Sequence, residues 1–249
     1  MREIVPAALA PVKLVNDDRS VLVVTALPDA AAALHRKDGV ILLGLQTPTN
    51  SGDASRDLAS ALLAALDSEP GDEIGAGNAN NTVRLQDLLD LAEGFYVEVT
   101  EGFDFWFAPG EELSKEVKAS LDELASGIVQ TVRLKAPIGS AYWCEFPDRS
   151  VVRWVLDIPE ERVLDALARL SVAGNLALGE GSRYLGAFRA DGLLVPVWEV
   201  DSAKPARSFE VPLIALHRDF ESALAAKTPL SSEERRARAG IVGRQLTLR

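Results

Sequence analysis

The fold turns on the stretch Asp18-Arg19-Ser20-Val21-Leu22-Val23-Val24-Thr25-Ala26-Leu27-Pro28. Its outline returns at Asp148-Arg149-Ser150-Val151-Val152-Arg153-Trp154-Val155-Leu156-Asp157-Ile158-Pro159. In both places Asp-Arg-Ser-Val opens an apolar strand that stops at a proline. A helical-looking stretch, 29–36, follows the first, and a clear helix, 160–172, follows the second. Farther on, Arg56-Asp57-Leu58-Ala59-Ser60-Ala61-Leu62 is echoed by Arg218-Asp219-Phe220-Glu221-Ser222-Ala223-Leu224. A four-residue identity is what chance supplies in a chain of this length. Two marks in the same order and setting carry more weight. The pattern predicts an α+β fold built from two diverged copies of a mixed or antiparallel sheet-plus-helices unit, related by a pseudo-twofold. Residues 1–127 form the first copy with a connector helix, and residues 128–249 form the second, with about thirty more residues between its marks.

Local signals fill in the elements. Asn16-Asp17-Asp18 turns a hairpin between 12–15 and 21–27, because Asn and Asp side chains bond the nearby backbone. The run 40–45 is apolar throughout, as in a strand covered on both faces. Helices are expected at 54–66, 85–92, 111–126, 160–172 and 212–226, and a polar loop at 71–81. Glu111 and Lys115 stand in the favourable order for a surface pair, and Gly127 is placed to end that helix. A strand at 129–134, hairpins 141–146/151–158 and 184–188/193–200, and a closing strand at 245–248 complete the second copy. Ser231 and Glu234 form a capping box for a last helix. In 95–107, Phe95, Val97 and Val99 alternate with Tyr96, Glu98 and Thr100. Beyond Glu101-Gly102, Phe103, Phe105 and Phe107 alternate with Asp104 and Trp106. Period two predicts a hairpin that presents Tyr96, Glu98, Asp104 and Trp106 on one face.

Composition narrows the function classes. The chain has 249 residues, 47% hydrophobic and 25% charged, the balance of an ordinary globular protein. One cysteine, Cys144, excludes an internal disulfide, and two histidines with it exclude a multi-ligand Cys/His zinc site within the chain. A net charge of −11 argues against a general binder of nucleic acid or anionic membrane. Glu3, Pro6 and Pro11 interrupt the start where a leader would need an apolar run, and no window approaches a membrane span. A cytoplasmic location is expected. No motif requires a cofactor: there is no P-loop lysine, no complete dinucleotide loop at Gly75-Ala76-Gly77 or Gly179-Glu180-Gly181, and no nucleophile elbow.

Two groups of residues remain as binding candidates. Tyr96, Glu98, Asp104 and Trp106 combine carboxylates with stacking rings, which suits sugars, cationic ligands or an aromatic-led protein interface. A second layer covering this face is the plainer alternative. Thr49, Ser51, Gly52 and Asp53 precede a helix whose N-terminus could hold an anion, against simple capping by Ser51 or Asp53. Cys144 alternates with Tyr142 and Phe146 and reads as a packed thiol rather than a nucleophile. Charge is uneven. Residues 85–126 hold eleven acids and two bases, while 230–249 hold five arginines and two glutamates. The acidic centre is either a solvated face or a surface for a basic partner.

Arg2-Glu3-Ile4-Val5-Pro6-Ala7-Ala8 and Leu43-Gly44-Leu45-Gln46, with Ser51-Gly52-Asp53-Ala54-Ser55-Arg56-Asp57-Leu58, resemble an actinobacterial protein family of unknown function. The resemblance covers most of the chain. It implies cytosolic relatives with a longer, basic N-terminal extension, and it implies a lineage without a mechanism. Translocase-like names borne by some relatives find no ATPase motif here. The function expected is that of a non-catalytic binding or adaptor protein, with a protein or small-molecule partner, using a cleft between the copies or the aromatic–acidic face. The alternative is an enzyme that acts on a small metabolite through carboxylate acid–base residues.

Overall fold

The computed structural model describes residues 4–46, 51–75, 82–92 and 94–243. The fold is α+β, with two sheets and six helices among the described residues. The chain divides into two compact units, Met1–Ile128 and Val129–Arg249.

The first unit opens with the expected hairpin. Strand β1 (Ala8–Leu14) pairs antiparallel with β2 (Val21–Val24), Leu9 opposite Val24 and Val12 opposite Val21. Asp17 makes the turn, accepting the Arg19 backbone N–H at 2.9 Å and its guanidinium at 2.5 Å. The Arg19 side-chain hydrogen bond holds the Asp17 carboxyl down at about 2. β4 (Ile41–Gly44) runs parallel to β2 and antiparallel to β3 (Ala33–His35), and Ile41, Leu42 and Leu43 are fully buried. Helix α1 (Ala54–Leu66) lays Leu58, Ala61, Leu62 and Ala65 over Val21, Val23, Ile41 and Leu43.

The helix expected at 29–36 is instead a 3-10 turn, Pro28–Ala30, followed by β3. Asp29 and Ala30 adopt positive φ, which no helix continues through. The alanines that favour a helix locally are also the residues small enough to lie in a strand beneath α1. Backbone pairing of 33–35 with 41–43 outweighs their propensity. The helix expected at 85–92 is likewise short. α2 (Leu85–Leu88) ends where β6 (Leu89–Asp90) leaves to pair with Lys13 and Leu14. β5 (Glu73–Ile74) borders β3, and β7 (Glu98–Val99) pairs with Ala8 and Leu9. α3 (Lys115–Ser126) starts at Ser114, whose hydroxyl accepts the Val117 N–H, and of its apolar stripe only Leu121 is buried.

The second unit is an antiparallel sheet in the order β11-β12-β10-β9-β8. Its strands are β8 (Gln130–Leu134), β9 (Ser140–Phe146), β10 (Arg149–Val155), β11 (Arg183–Ala190) and β12 (Leu193–Val200). α4 (Glu160–Ala173), α5 (Glu210–Ala225) and α6 (Ser232–Gly243) supply the helical layer. Trp154, Trp198, Leu156, Leu167, Leu213 and Phe220 make the centre of the core. Both central indoles are satisfied, Trp154 donating to Ile138 O at 3.0 Å and Trp198 to Leu176 O at 2.7 Å. Gly139 is obligatory before β9, because a Cβ there would lie 2.1 Å from Val155 O and its φ is +62°. Gly174 closes α4, and Ser231 and Glu234 exchange the two bonds of the expected capping box. The expected strand at 245–248 lies outside the described residues.

Strand order is the same in the two sheets: second hairpin beside first hairpin, β3-β4-β2-β1 against β11-β12-β10-β9. Polarity differs. β4 is parallel to β2, whereas β12 is antiparallel to β10, because α4 carries the chain back across the second sheet before β11 begins.

Candidate functional site

The outer edge of β1 is paired at both ends and interrupted in the middle. Ala8 turns its N–H and C=O towards Thr25, whereas Ala7 O accepts from Thr100 N and Val15 N donates to Leu88 O. Alternation therefore points Leu9, Pro11 and Lys13 outwards. Leu9 meets β7 and Lys13 meets β6, which leaves Pro11 between them. Proline has no N–H, so this position cannot complete a ladder. A groove of about 530 Å³ opens here, lined by Pro11, Val12, Lys13, Leu89, Asp90, Leu91, Gly94, Phe95 and Tyr96.

The groove wall is apolar and exposed. Leu91 is 62%, Phe95 50% and Tyr96 65% accessible to solvent. Gly94, at φ +78°, makes the bend that separates Leu91 from the two rings, a conformation that favours glycine. Asp90 is among the lining residues, its carboxylate accepting the Ala92 N–H at 3.0 Å, and Glu98 is exposed on β7 opposite Leu9. Pro11, Leu91 and Phe95 were not legible as site residues. Phe95 reads by period two as a core residue, and the signal that marks it is its place beside Gly94, where the alternation breaks.

The hairpin expected over 95–107 does not form. Only Glu98 and Val99 are a strand, and Asp104–Trp106 is a 3-10 turn. The Thr100 hydroxyl donates to Gly102 O at 2.8 Å, and Gly102 is buried against Ala125 of α3. Buried Arg36 then draws in the turn, its guanidinium donating to Phe105 O at 2.9 Å and Phe107 O at 3.0 Å. Trp106 faces inwards: its indole donates to Ala26 O at 2.9 Å, and its ring stacks on Phe103 at 4.7 Å. With Phe105 it packs on Val24, Leu27, Ala31 and Leu42. Asp104 is exposed at the start of the turn. Tyr96, Glu98, Asp104 and Trp106 thus do not share one strand face. Tyr96 belongs to the groove, and Trp106 fastens the segment that follows it.

At the start of α1, Asp53 accepts from Ser55 N at 3.1 Å and Arg56 N at 3.3 Å, and Arg84 lies 3.0 Å from its second oxygen. Ser51 donates its N–H to Asp57 at 3.1 Å, and Gly52 bends the chain at φ +86°. Asp53 therefore occupies the place an anion would take, which is the geometry of a cap. Thr49 lies outside the described residues. Cys144 is fully buried on β9, 3.7 Å from the Thr131 hydroxyl, and burial pushes its thiol pKa up. A smaller pocket in the second unit, about 190 Å³, has Glu160 and Arg189 in its lining, and they spend their charges on each other at 2.5 and 2.6 Å.

Among the described residues no three His, Cys, Asp or Glu side chains gather as a metal site, and no helix is long and apolar enough to cross a membrane. No curated protein and no solved structure matches the chain. Residues 1–249 match DUF5926, a family of unknown function, and the chain belongs to that family.

Proposed function

We propose that the protein is a non-catalytic binding protein that receives a partner segment in the groove beside β1. The observation that carries this is the joint exposure of Leu91, Phe95 and Tyr96 around one concavity. Apolar surface left in water forgoes about 25 cal/mol per Å², so a cluster of this kind marks a place where something else completes the burial. Exposed Glu98, two residues beyond Tyr96 along the chain, is a polar neighbour of the kind that surrounds such a patch. The volume falls in the range of roughly 300–1,000 Å³ typical of binding sites.

An unbiased library of displayed peptides, selected on the wild-type protein, tests this. Selected binders should lose about tenfold or more in affinity for the Phe95→Ala/Tyr96→Ala double variant. They should bind undiminished to Val211→Ala, which removes an exposed apolar residue of α5 instead. Circular dichroism and thermal melts check that each variant is folded. Binders that ignore the double variant would refute the assignment.

The shared strand order supports descent of the two units from one hairpin–hairpin–helix plan. The reversed polarity of the second hairpin weighs against a simple copy.

A further inference from the structure

Taking the groove as the recognition surface, we infer that its occupant is a basic, proline-rich protein segment in the polyproline II conformation. Addition of a β-strand is the obvious alternative for a gap in a sheet edge, and the backbone rules it out. The gap offers one outward-facing residue, and that residue is Pro11, which has no hydrogen to donate. A partner must therefore be held by side chains rather than by a ladder.

The lining is suited to that. Phe95 and Tyr96 are adjacent exposed rings, and Pro11 and Leu91 lie around the same concavity. Aromatic-lined grooves of this chemistry take polyproline II segments. Such segments are already extended and lose little conformational entropy on docking. Charge sets the rest of the partner's chemistry. Asp90 is in the lining and Glu98 is exposed two residues beyond Tyr96, while residues 89–104 contain no Lys or Arg. Lys13, opposite Asp90 in the β1–β6 ladder, is the one cation of the lining. Arginines flanking the prolines would meet Asp90 and Glu98.

The test is fluorescence anisotropy of a labelled ten-residue polyproline peptide with two arginines at one end, titrated with the full chain. Two control peptides replace the arginines by glutamates or the prolines by glycines. Saturable binding is expected for the first peptide alone, weakening several-fold between about 0.05 and 0.5 M NaCl. It should fall about tenfold or more in Tyr96→Ala and several-fold in Asp90→Asn/Glu98→Gln. Equal binding of the glycine control, or full binding by folded Tyr96→Ala, would overturn the inference. If no polyproline peptide binds while library selection still yields Tyr96-dependent binders, the partner chemistry is wrong and the groove stands. If neither binds, both fall.

Discussion

Replacing Arg36 with methionine keeps an unbranched apolar stem and removes every donor. In the native protein the guanidinium makes four hydrogen bonds: two to Asp38 at 2.8 and 2.7 Å, and one each to Phe105 O and Phe107 O at 2.9 and 3.0 Å. Bonds from a charged donor are worth about 1.5–3 kcal/mol each, so the two to the carbonyls account for at least ~3 kcal/mol. Asp38 is about one-third exposed and regains water when the arginine goes, so the ion pair adds no more than about 1 kcal/mol. The expected loss is therefore about 3 kcal/mol or more in urea unfolding. Arg36→Lys should lose most of it as well, because an ammonium cannot reproduce the planar fork. A local reporter exists in Trp106, the one tryptophan among residues 1–128. Its indole N–H is held by Ala26 O, and its NMR cross-peak should shift and broaden in Arg36→Met. A stability change below about 0.5 kcal/mol with an unmoved indole peak would refute the clamp.

Acid should weaken the β1–β2 turn. The Asp17 carboxyl is held at about 2 against an ordinary 3.8, so its contribution is complete above about pH 4 and disappears as the pH falls through 2. Asp17→Asn should flatten that part of the acid-unfolding curve, and an unchanged acid limb would remove the turn from the account. Cys144 should react with an aromatic disulfide reagent at the rate of unfolding rather than at the rate of a free thiol, since it is fully buried and burial also raises its pKa. Prompt stoichiometric labelling of native protein would contradict its place in the sheet. α6 is held to α4 by Arg238 on Glu161 and Asp165, by Arg169 close to Glu234, and by Ile241 in the core. Ile241→Ala should cost about 2–4 kcal/mol of its protection in amide exchange. Arg238→Ala, whose partners are largely exposed, should cost about 1 kcal/mol or less.

How far the candidate site was legible depends on where the forces that shape it act. Tyr96 and Glu98 are legible because rings beside carboxylates stand out in any register. Trp106 departs from their face because alternation in 103–107 is a local pattern, and a distant arginine and the Ala26 carbonyl override it. Pro11 gave no signal as a site residue. Its importance lies in facing, on the outer edge of β1, the gap between β7 and β6, which depends on where those two strands stop.

The sequence by itself determined the elements whose causes are near neighbours. These are the Asp17 turn and its hairpin, the all-apolar β4, α1 with its Asp53 cap, α4 closed by Gly174, and α6 started by Ser231 and Glu234. In the turn, the α1 cap and the start of α6, side chains within a few residues satisfy the backbone. In β4 the apolar run, and after α4 the glycine's left-handed conformation, carry the signal, so the pattern along the chain is the physical cause. Tertiary structure alone decided the fate of 29–36, 89–92 and 95–107. There local preferences were nearly balanced, and pairing with β4 and β5, with β1, or a guanidinium about seventy residues away supplied the free energy that chose.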